Sequence, residues 1–137
     1  MGYYMHMRDC SILIRREHFD ETLESIQSLK GQETIKDSSG YHFSWVDTHE
    51  FMRAGDLGKA LEAWRWEPTY DIDGNIDNID FVGEKWGDDF LMFTALAPYV
   101  EDGSYIEMGG EDDAIWRWKF KDGMVKEQYA EIVWDDK

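Results

Sequence analysis

The sequence predicts an α+β fold, with a mostly antiparallel sheet, helices packed on one face of it and a C-terminal three-stranded meander. Short runs of alternating apolar residues recur along the chain, and such runs are typical of half-buried strands. Two turn signals, Asp73-Gly74 and Asp122-Gly123, lie between such runs and indicate antiparallel hairpins. The 137 residues are 42% apolar without a break in composition. We therefore expect a single α+β domain over residues 1–137.

The chain begins with a strand and a helix. Residues 3–14 predict a strand with a bend near Asp9. Residues 17–29 predict a helix, which Gly31 ends. The spacing of its apolar residues places them on one face: Phe19, Leu23, Ile26 and Leu29.

A strand and two short helices follow. Residues 41–46 alternate, which predicts a strand whose three aromatic residues share one face: Tyr41, Phe43 and Trp45. Asp47 or Thr48 can cap a short helix over residues 50–54, and Asp56 can cap the next.

Residues 64–72 and 76–86 predict a hairpin around Asp73-Gly74. Pro68 has no N–H for a sheet ladder, so its strand is expected at a sheet edge. A two-residue turn would set the register, pairing Ile72 with Asn75 and Trp66 with Phe81.

The C-terminal part predicts a helix and the meander. Residues 90–100 are apolar on nearly all sides, so we expect a central buried helix, capped by Asp88 or Asp89. Three strands follow, over residues 104–108, 114–120 and 124–134. The last turn pairs Trp116 with Tyr129 and Phe120 with Val125.

Net charge is the main functional signal. Thirty acidic residues against 14 basic ones give −16, and residues 61–137 hold 20 of the acids and seven of the bases. Such a field repels nucleic acid and anionic membranes and attracts basic proteins. The alternative is that the charge only keeps an aromatic-rich domain in solution.

Cys10 is the one cysteine, so no internal disulfide can form. The first residues lack the apolar core of a secretion signal, and no stretch reaches the roughly 18 apolar residues of a membrane span. We expect a cytoplasmic protein.

Clustered carboxylates suggest two kinds of chemistry. The spacing over residues 71–80 suggests Ca²⁺ ligands, but Ile76 and Val82 stand where a calcium loop needs Gly and Glu. A hairpin turn explains the pattern better, with a weak cation site as the alternative. Glu107 with Glu111 or Asp113 could act as an acid–base pair, but no partner nucleophile is identifiable.

No other motif indicates catalysis. The histidines His6, His18, His42 and His49 show no ligand spacing, and phosphate-binding and nucleophile motifs are missing. We therefore predict that the chain is not an enzyme, with no catalytic residue, metal site or cofactor.

Two Trp-Arg-Trp stretches, at residues 64–66 and 116–118, each predict two tryptophans on one strand face and an arginine on the other. Such rows can stack sugars or bases. They can equally form the core layer beneath the helices.

The C-terminal half contains a series of short motifs: Gly83-Glu84-Lys85, Ala97-Pro98-Tyr99-Val100, Ser104-Tyr105-Ile106-Glu107-Met108, Glu111-Asp112 and Trp116-Arg117-Trp118. With these motifs the chain resembles a set of small acidic proteins of bacteria and their phages that have no assigned activity. The resemblance runs from about Tyr41 to the end. Asp113 stands where those proteins are expected to have Gly. The resemblance brings no catalytic residue, and a phage setting implies roles in conflict with the host.

The leading hypothesis is a non-catalytic acidic protein that occupies a basic surface of a nuclease, nucleic-acid-binding effector or toxin, as an anti-defence inhibitor or toxin-neutralising partner. Its predicted contacts are Asp71, Asp73, Asp77, Asp80, Glu107, Glu111, Asp112 and Asp113. The alternative is a small-molecule binding module with an aromatic-lined pocket. Its predicted walls are Tyr41, Trp45, Trp64, Trp116 and Tyr129.

Overall fold

The computed structural model describes residues 2–38, 40–131 and 133–134. These residues form an α+β fold with antiparallel sheets. The α-helices of the described residues are α1 (Phe19–Gln27), α2 (Thr48–Arg53), α3 (Leu57–Ala63) and α4 (Asp89–Leu96), and short 3₁₀ helices span Arg16–His18 and Ala97–Tyr99. The strands are β1 (Met5–Ser11), β2 (Ile35–Asp37), β3 (Gly40–His42), β4 (Trp66–Tyr70), β5 (Ile76–Phe81), β6 (Tyr105–Gly110), β7 (Ile115–Lys121) and β8 (Met124–Tyr129).

The main sheet has the strand order β1-β6-β7-β8, so the predicted C-terminal meander is confirmed. Asp122 and Gly123 form its last turn with φ angles of 54° and 75°, the left-handed conformation that a two-residue hairpin turn requires. The predicted register is also confirmed: Trp116 pairs with Tyr129 and Phe120 with Val125. A bulge interrupts β1 between Met7 and Asp9, near the predicted bend.

Strands β4 and β5 form a separate two-stranded ribbon. Trp66 pairs with Phe81 as predicted, but the pairing of Ile72 with Asn75 was wrong, because the register shifts after Thr69 and β4 ends by pairing Tyr70 with Ile76. A five-residue loop therefore replaces the two-residue turn. Pro68 lies on β4, an edge of this ribbon, in agreement with the prediction.

The ribbon lies beside β1, on the edge opposite β6. Ile14 exchanges backbone hydrogen bonds with Ile76 at one end, and the Met5 N–H donates to the Glu84 carbonyl at the other. Strand β5 and the residues that follow it therefore run antiparallel to β1 along nearly its whole length. As a result, the ribbon and the main sheet present their outer faces to the same side.

Helices cover the inner face of this surface. Trp66 and Trp118 lie there with ring centroids 6.3 Å apart, and Phe93 of α4 packs against both at 5.1 and 5.0 Å. The α4 helix is buried through Met92, Phe93 and Leu96, but Phe90 is 39% exposed. The helix that the sequence predicts as central is therefore buried on its inner side, whereas its outer side faces solvent.

Two other local predictions were also wrong. The strand β3 ends at His42 and Trp45 has a φ of 62°, so the aromatic alternation of residues 41–45 does not form one strand face. Phe43 is buried there, whereas Tyr41 is 65% exposed. Trp64 ends α3 instead of starting a strand, and Arg65 follows it with a φ of 75°.

Candidate functional site

The described structure separates charge across the outer face of the sheet. We call residues 66–81, which form β4, β5 and their loop, the acidic ribbon. This segment contains five carboxylates and no basic residue: Glu67, Asp71, Asp73, Asp77 and Asp80. We call residues 115–129, which form β7, β8 and their turn, the basic hairpin. It contains four bases and two acids: Arg117, Lys119, Lys121 and Lys126 against Asp122 and Glu127.

The acidic ribbon places like charges next to each other. Glu67 and Asp80 are directly opposite across the two strands, and both side chains are exposed. Directly opposed like charges destabilise a sheet. The Asn78 side chain donates a hydrogen bond of 3.2 Å to Asp80. None of the ion pairs among the described residues involves a ribbon carboxylate, so this negative charge is not neutralised locally.

Asp71 organises the loop between the two strands. One of its carboxylate oxygens accepts hydrogen bonds from the backbone N–H groups of Asp73 and Asn75, both at 2.9 Å. Desolvation acts to raise the pKa of Asp71, but these bonds and others from Asn75 and Gly74 outweigh it and lower the pKa. Asp71 is therefore a structural carboxylate of the turn, whereas Asp73 is exposed beside it.

Glu111, Asp112 and Asp113 lie in the exposed loop between β6 and β7. The Tyr3 hydroxyl donates to Asp112, which raises the pKa of Tyr3 to about 12 and lowers that of Asp112. Asp113 has a φ of 64°, a conformation that glycine favours and aspartate tolerates. This is the position at which the resemblance leads us to expect Gly.

The eight predicted contact residues do not form one patch. The loop of the ribbon lies beside Arg16, whose N–H donates to Asn75 at 2.9 Å, and the β6–β7 loop lies beside Tyr4, whose carbonyl accepts from Glu111. These two places are at opposite ends of β1 and its extension, roughly 30 Å apart by the rise of an extended strand. Four of the eight, Asp71, Asp73, Asp77 and Asp80, lie in one segment, the acidic ribbon.

Glu107, the remaining predicted contact, is neutralised. It lies between Arg8 and Arg117, with N–O distances of 3.2 and 2.8 Å. Its side chain is only 17% exposed. The two arginines lower its pKa, with the hydrogen bond from Arg117 as the main cause. Asp9 is directly opposite Glu107 on β1, so these two carboxylates and the two arginines form a neutral seam between the acidic ribbon and the basic hairpin.

The basic hairpin is a surface that our sequence reasoning missed. Lys119 on β7 is directly opposite Lys126 on β8, and both are exposed. The signal was present, because a basic residue stands at every second position of β7 from Arg117 onward: Arg117, Lys119 and Lys121. An alternating strand places such residues on one face, but the strongly negative total charge does not show this local basic face.

The geometry of the described residues gives little support to the other predicted sites. The proposed pocket walls do not converge, since Trp64 and Trp116 are buried in the core while Tyr41 is exposed on β3. Among the described residues, no group of three His, Cys, Asp or Glu side chains is placed to hold a metal ion. Burial raises the pKa of the Cys10 thiol to about 11.

One buried ion pair connects the ribbon to the helical layer. Asp89, which is 1% exposed, accepts hydrogen bonds from the guanidinium of Arg65 at 3.0 Å and from the Trp66 indole at 2.9 Å. Burial raises the pKa of Asp89, and the neighbouring Arg65 opposes that shift. Both oxygens of this carboxylate accept hydrogen bonds, so Asp89 is a structural carboxylate that holds the start of the ribbon against α4.

None of the described helices is long and apolar enough to cross a membrane. Comparison of the chain with known protein families, with curated proteins and with solved structures gives no significant match. The charged outer face is therefore the feature from which function must be argued.

Proposed function

We propose that this chain is a non-catalytic binding protein whose acidic ribbon docks onto a basic surface of a partner protein. The observation that supports this most is the exposed pair of Glu67 and Asp80, with Asp77 beside it and no ion pair to any of them among the described residues. An arrangement that destabilises the sheet by itself becomes favourable when cations from a partner approach it.

The ribbon is built as a rigid template for such a contact. Its inner face is fixed by Trp66 and Ile79, both fully buried. Glu67, Asp77 and Asp80 are therefore held on paired strands rather than on a loop, which reduces the entropy lost on binding. Asp77 lies at the bulge, where β5 has one residue more than β4 opposite it, and so projects separately from the Glu67–Asp80 pair.

A row of carboxylates on a strand resembles the spaced negative charges of a nucleic acid backbone. The partner class that fits is a protein with a basic groove, such as a nuclease, a nucleic-acid-binding effector or a toxin. Occupying that groove would exclude the phosphates for which it is built. The chain would then act as an inhibitor of the anti-defence or toxin-neutralising type, in agreement with what the resemblance implies.

Isothermal titration with a deca-arginine peptide tests whether the ribbon is the binding surface. The ribbon variant Asp77→Asn/Asp80→Asn should bind about tenfold more weakly than the parent chain at low salt, because two local charges are lost. Raising the salt to about 0.5 M should remove most of this difference, since screening then acts within a few ångströms.

The matched control is Glu111→Gln/Asp113→Asn, which changes the net charge equally at the far end of the sheet. It should change the affinity by no more than about twofold. Equal losses in both variants would show that binding follows net charge alone and would rule out a docking role for the ribbon.

A further inference from the structure

We infer that the outer face of the basic hairpin is a second docking surface, which binds a short acidic segment of a protein. This inference does not depend on the proposed role of the ribbon. It rests on the lysines Lys119, Lys121 and Lys126, which lie on one exposed face of β7 and β8. None of the ion pairs among the described residues includes any of them.

The placement of these lysines destabilises the fold when no partner is bound. Lys119 and Lys126 are directly opposite across the strands, where Cβ atoms are about 5 Å apart and like charges repel. Thirty acidic residues are available in the chain, yet the described structure places none of them in an ion pair with these lysines. An anion supplied from outside would relieve the repulsion.

Protection of a sheet edge does not explain the set. Lysine on an edge strand prevents unwanted strand pairing, and that role fits Lys126 because β8 is the last strand of the described sheet. However, Lys119 and Lys121 belong to β7, which is paired on both sides by β6 and β8. Their backbone has no open edge to protect.

The surface also has a shape that can accept an extended chain. Two shallow depressions lie along it, one of about 250 Å³ beside Arg117 and one of about 240 Å³ beside the three lysines, and Gln128 lines both. Met124 is 64% exposed at the end of the second depression and adds an apolar contact. Asp122 is the only carboxylate among the described residues that line this second depression.

The total charge decides between an acidic peptide and a nucleic acid. At physiological salt a charge is screened beyond about 8 Å, so a short acidic segment on the hairpin is attracted by the lysines and only weakly repelled by distant carboxylates. A nucleic acid is longer than the patch and would carry its phosphates past the seam at Glu107 toward the acidic ribbon. The charge of −16 therefore favours the short acidic protein segment.

An NMR titration of the ¹⁵N-labelled chain with hexaglutamate, acetylated at its N-terminus and amidated at its C-terminus so that it carries six charges, tests the inference. Amide shifts should concentrate on residues 115–129. Lys119→Gln/Lys126→Gln should weaken binding about tenfold. The control Lys30→Gln/Lys59→Gln, which changes the net charge equally at two exposed lysines elsewhere, should leave it within about twofold.

The hairpin variant should keep its fold, because removing the opposed lysines relieves repulsion, and its dispersed amide spectrum reports this directly. No shifts in the hairpin at millimolar peptide would overturn the inference. A hepta-thymidylate, which carries six phosphates, should bind more weakly than hexaglutamate. Tighter binding of this oligonucleotide to the same residues would overturn the choice of an acidic protein segment.

Discussion

The tripeptide Trp-Arg-Trp occurs at the start of the acidic ribbon and within the basic hairpin, and it folds in two different ways. In the hairpin, Trp116 and Trp118 are buried and Arg117 is 49% exposed, as strand alternation requires. At the ribbon, Arg65 adopts a φ of 75° and its side chain, only 14% exposed, is paired with the buried Asp89. The same three residues therefore give a solvent-facing cation in one region and a buried one in the other.

The difference lies in how each region is held together. In the hairpin, the Trp118 indole donates to Glu127, nine residues away in the same hairpin, at 2.8 Å. At the ribbon, the Trp66 indole donates to Asp89 of α4, which lies outside the ribbon. The hairpin is thus specified largely by its own sequence, whereas the ribbon depends on a contact with another element.

The substitution with the largest expected effect removes the contact between the ribbon and α4. Asp89→Ala should reduce the free energy of unfolding by about 3–5 kcal/mol, because it leaves the Arg65 guanidinium buried without its counter-charge. Urea denaturation at pH 7 measures the loss. Hydrogen exchange should show residues 66–81 losing protection before residues 115–129.

The matched control is Asp20→Ala, which removes an exposed carboxylate from α1. It should change the free energy of unfolding by no more than about 0.5 kcal/mol. A loss below about 1 kcal/mol for Asp89→Ala, or equal loss of protection in both regions, would show that the ribbon does not depend on this ion pair.

Local sequence patterns predicted the hairpin well, because its turn and register depend on neighbouring residues. They predicted the ribbon poorly, because its conformation depends on more distant partners. Asp122-Gly123 and the strict alternation after Ile115 fix both the turn and the register. The loop after Tyr70 is instead shaped by the hydrogen bonds of Asp71, and the conformation of Arg65 by Asp89, 24 residues later in the chain. Single-sequence patterns carry no information about such partners, so the turn length and the buried arginine were not predictable.

The candidate site shows the same limit. Counting charges along the chain placed the negative potential in the C-terminal half but could not show that β1 separates Asp73 from Glu111, or that Glu107 lies between two arginines. The grouping of charges depends on strand order, which the sequence did not reveal. The basic hairpin required only alternation and could have been predicted.

A second variant tests the seam between the two regions. Glu107→Gln should reduce the free energy of unfolding by about 1 kcal/mol at pH 7, because Arg8 and Arg117 lose their shared carboxylate. The pKa of Glu107 is lowered in the folded state, so its contribution is fully present above the usual glutamate value of 4.5 and is lost as the pH falls from that value through the lower pKa of the folded state.

Urea denaturation of both proteins at pH 7, 5 and 3.5 measures this. The difference between the parent chain and Glu107→Gln should be smaller at pH 3.5 than at pH 5 and 7. A difference that stays constant with pH would mean that the variant acts through packing and not through the charge of Glu107.

The smallest expected change in stability gives the sharpest comparison of the two regions. The ribbon has two anions directly opposite each other, and the hairpin has two cations. Asp80→Lys would place a cation opposite Glu67, and Lys126→Glu would place an anion opposite Lys119. Each should stabilise the fold by about 0.5 kcal/mol, since each converts a repulsive cross-strand pair into an attractive one.

The two substitutions move the net charge of the protein by two units in opposite directions. If total charge governed stability, Asp80→Lys would stabilise the chain and Lys126→Glu would destabilise it. Thermal unfolding of the two variants in parallel therefore distinguishes locally placed charge, on which both docking surfaces depend, from the general repulsion of an acidic protein.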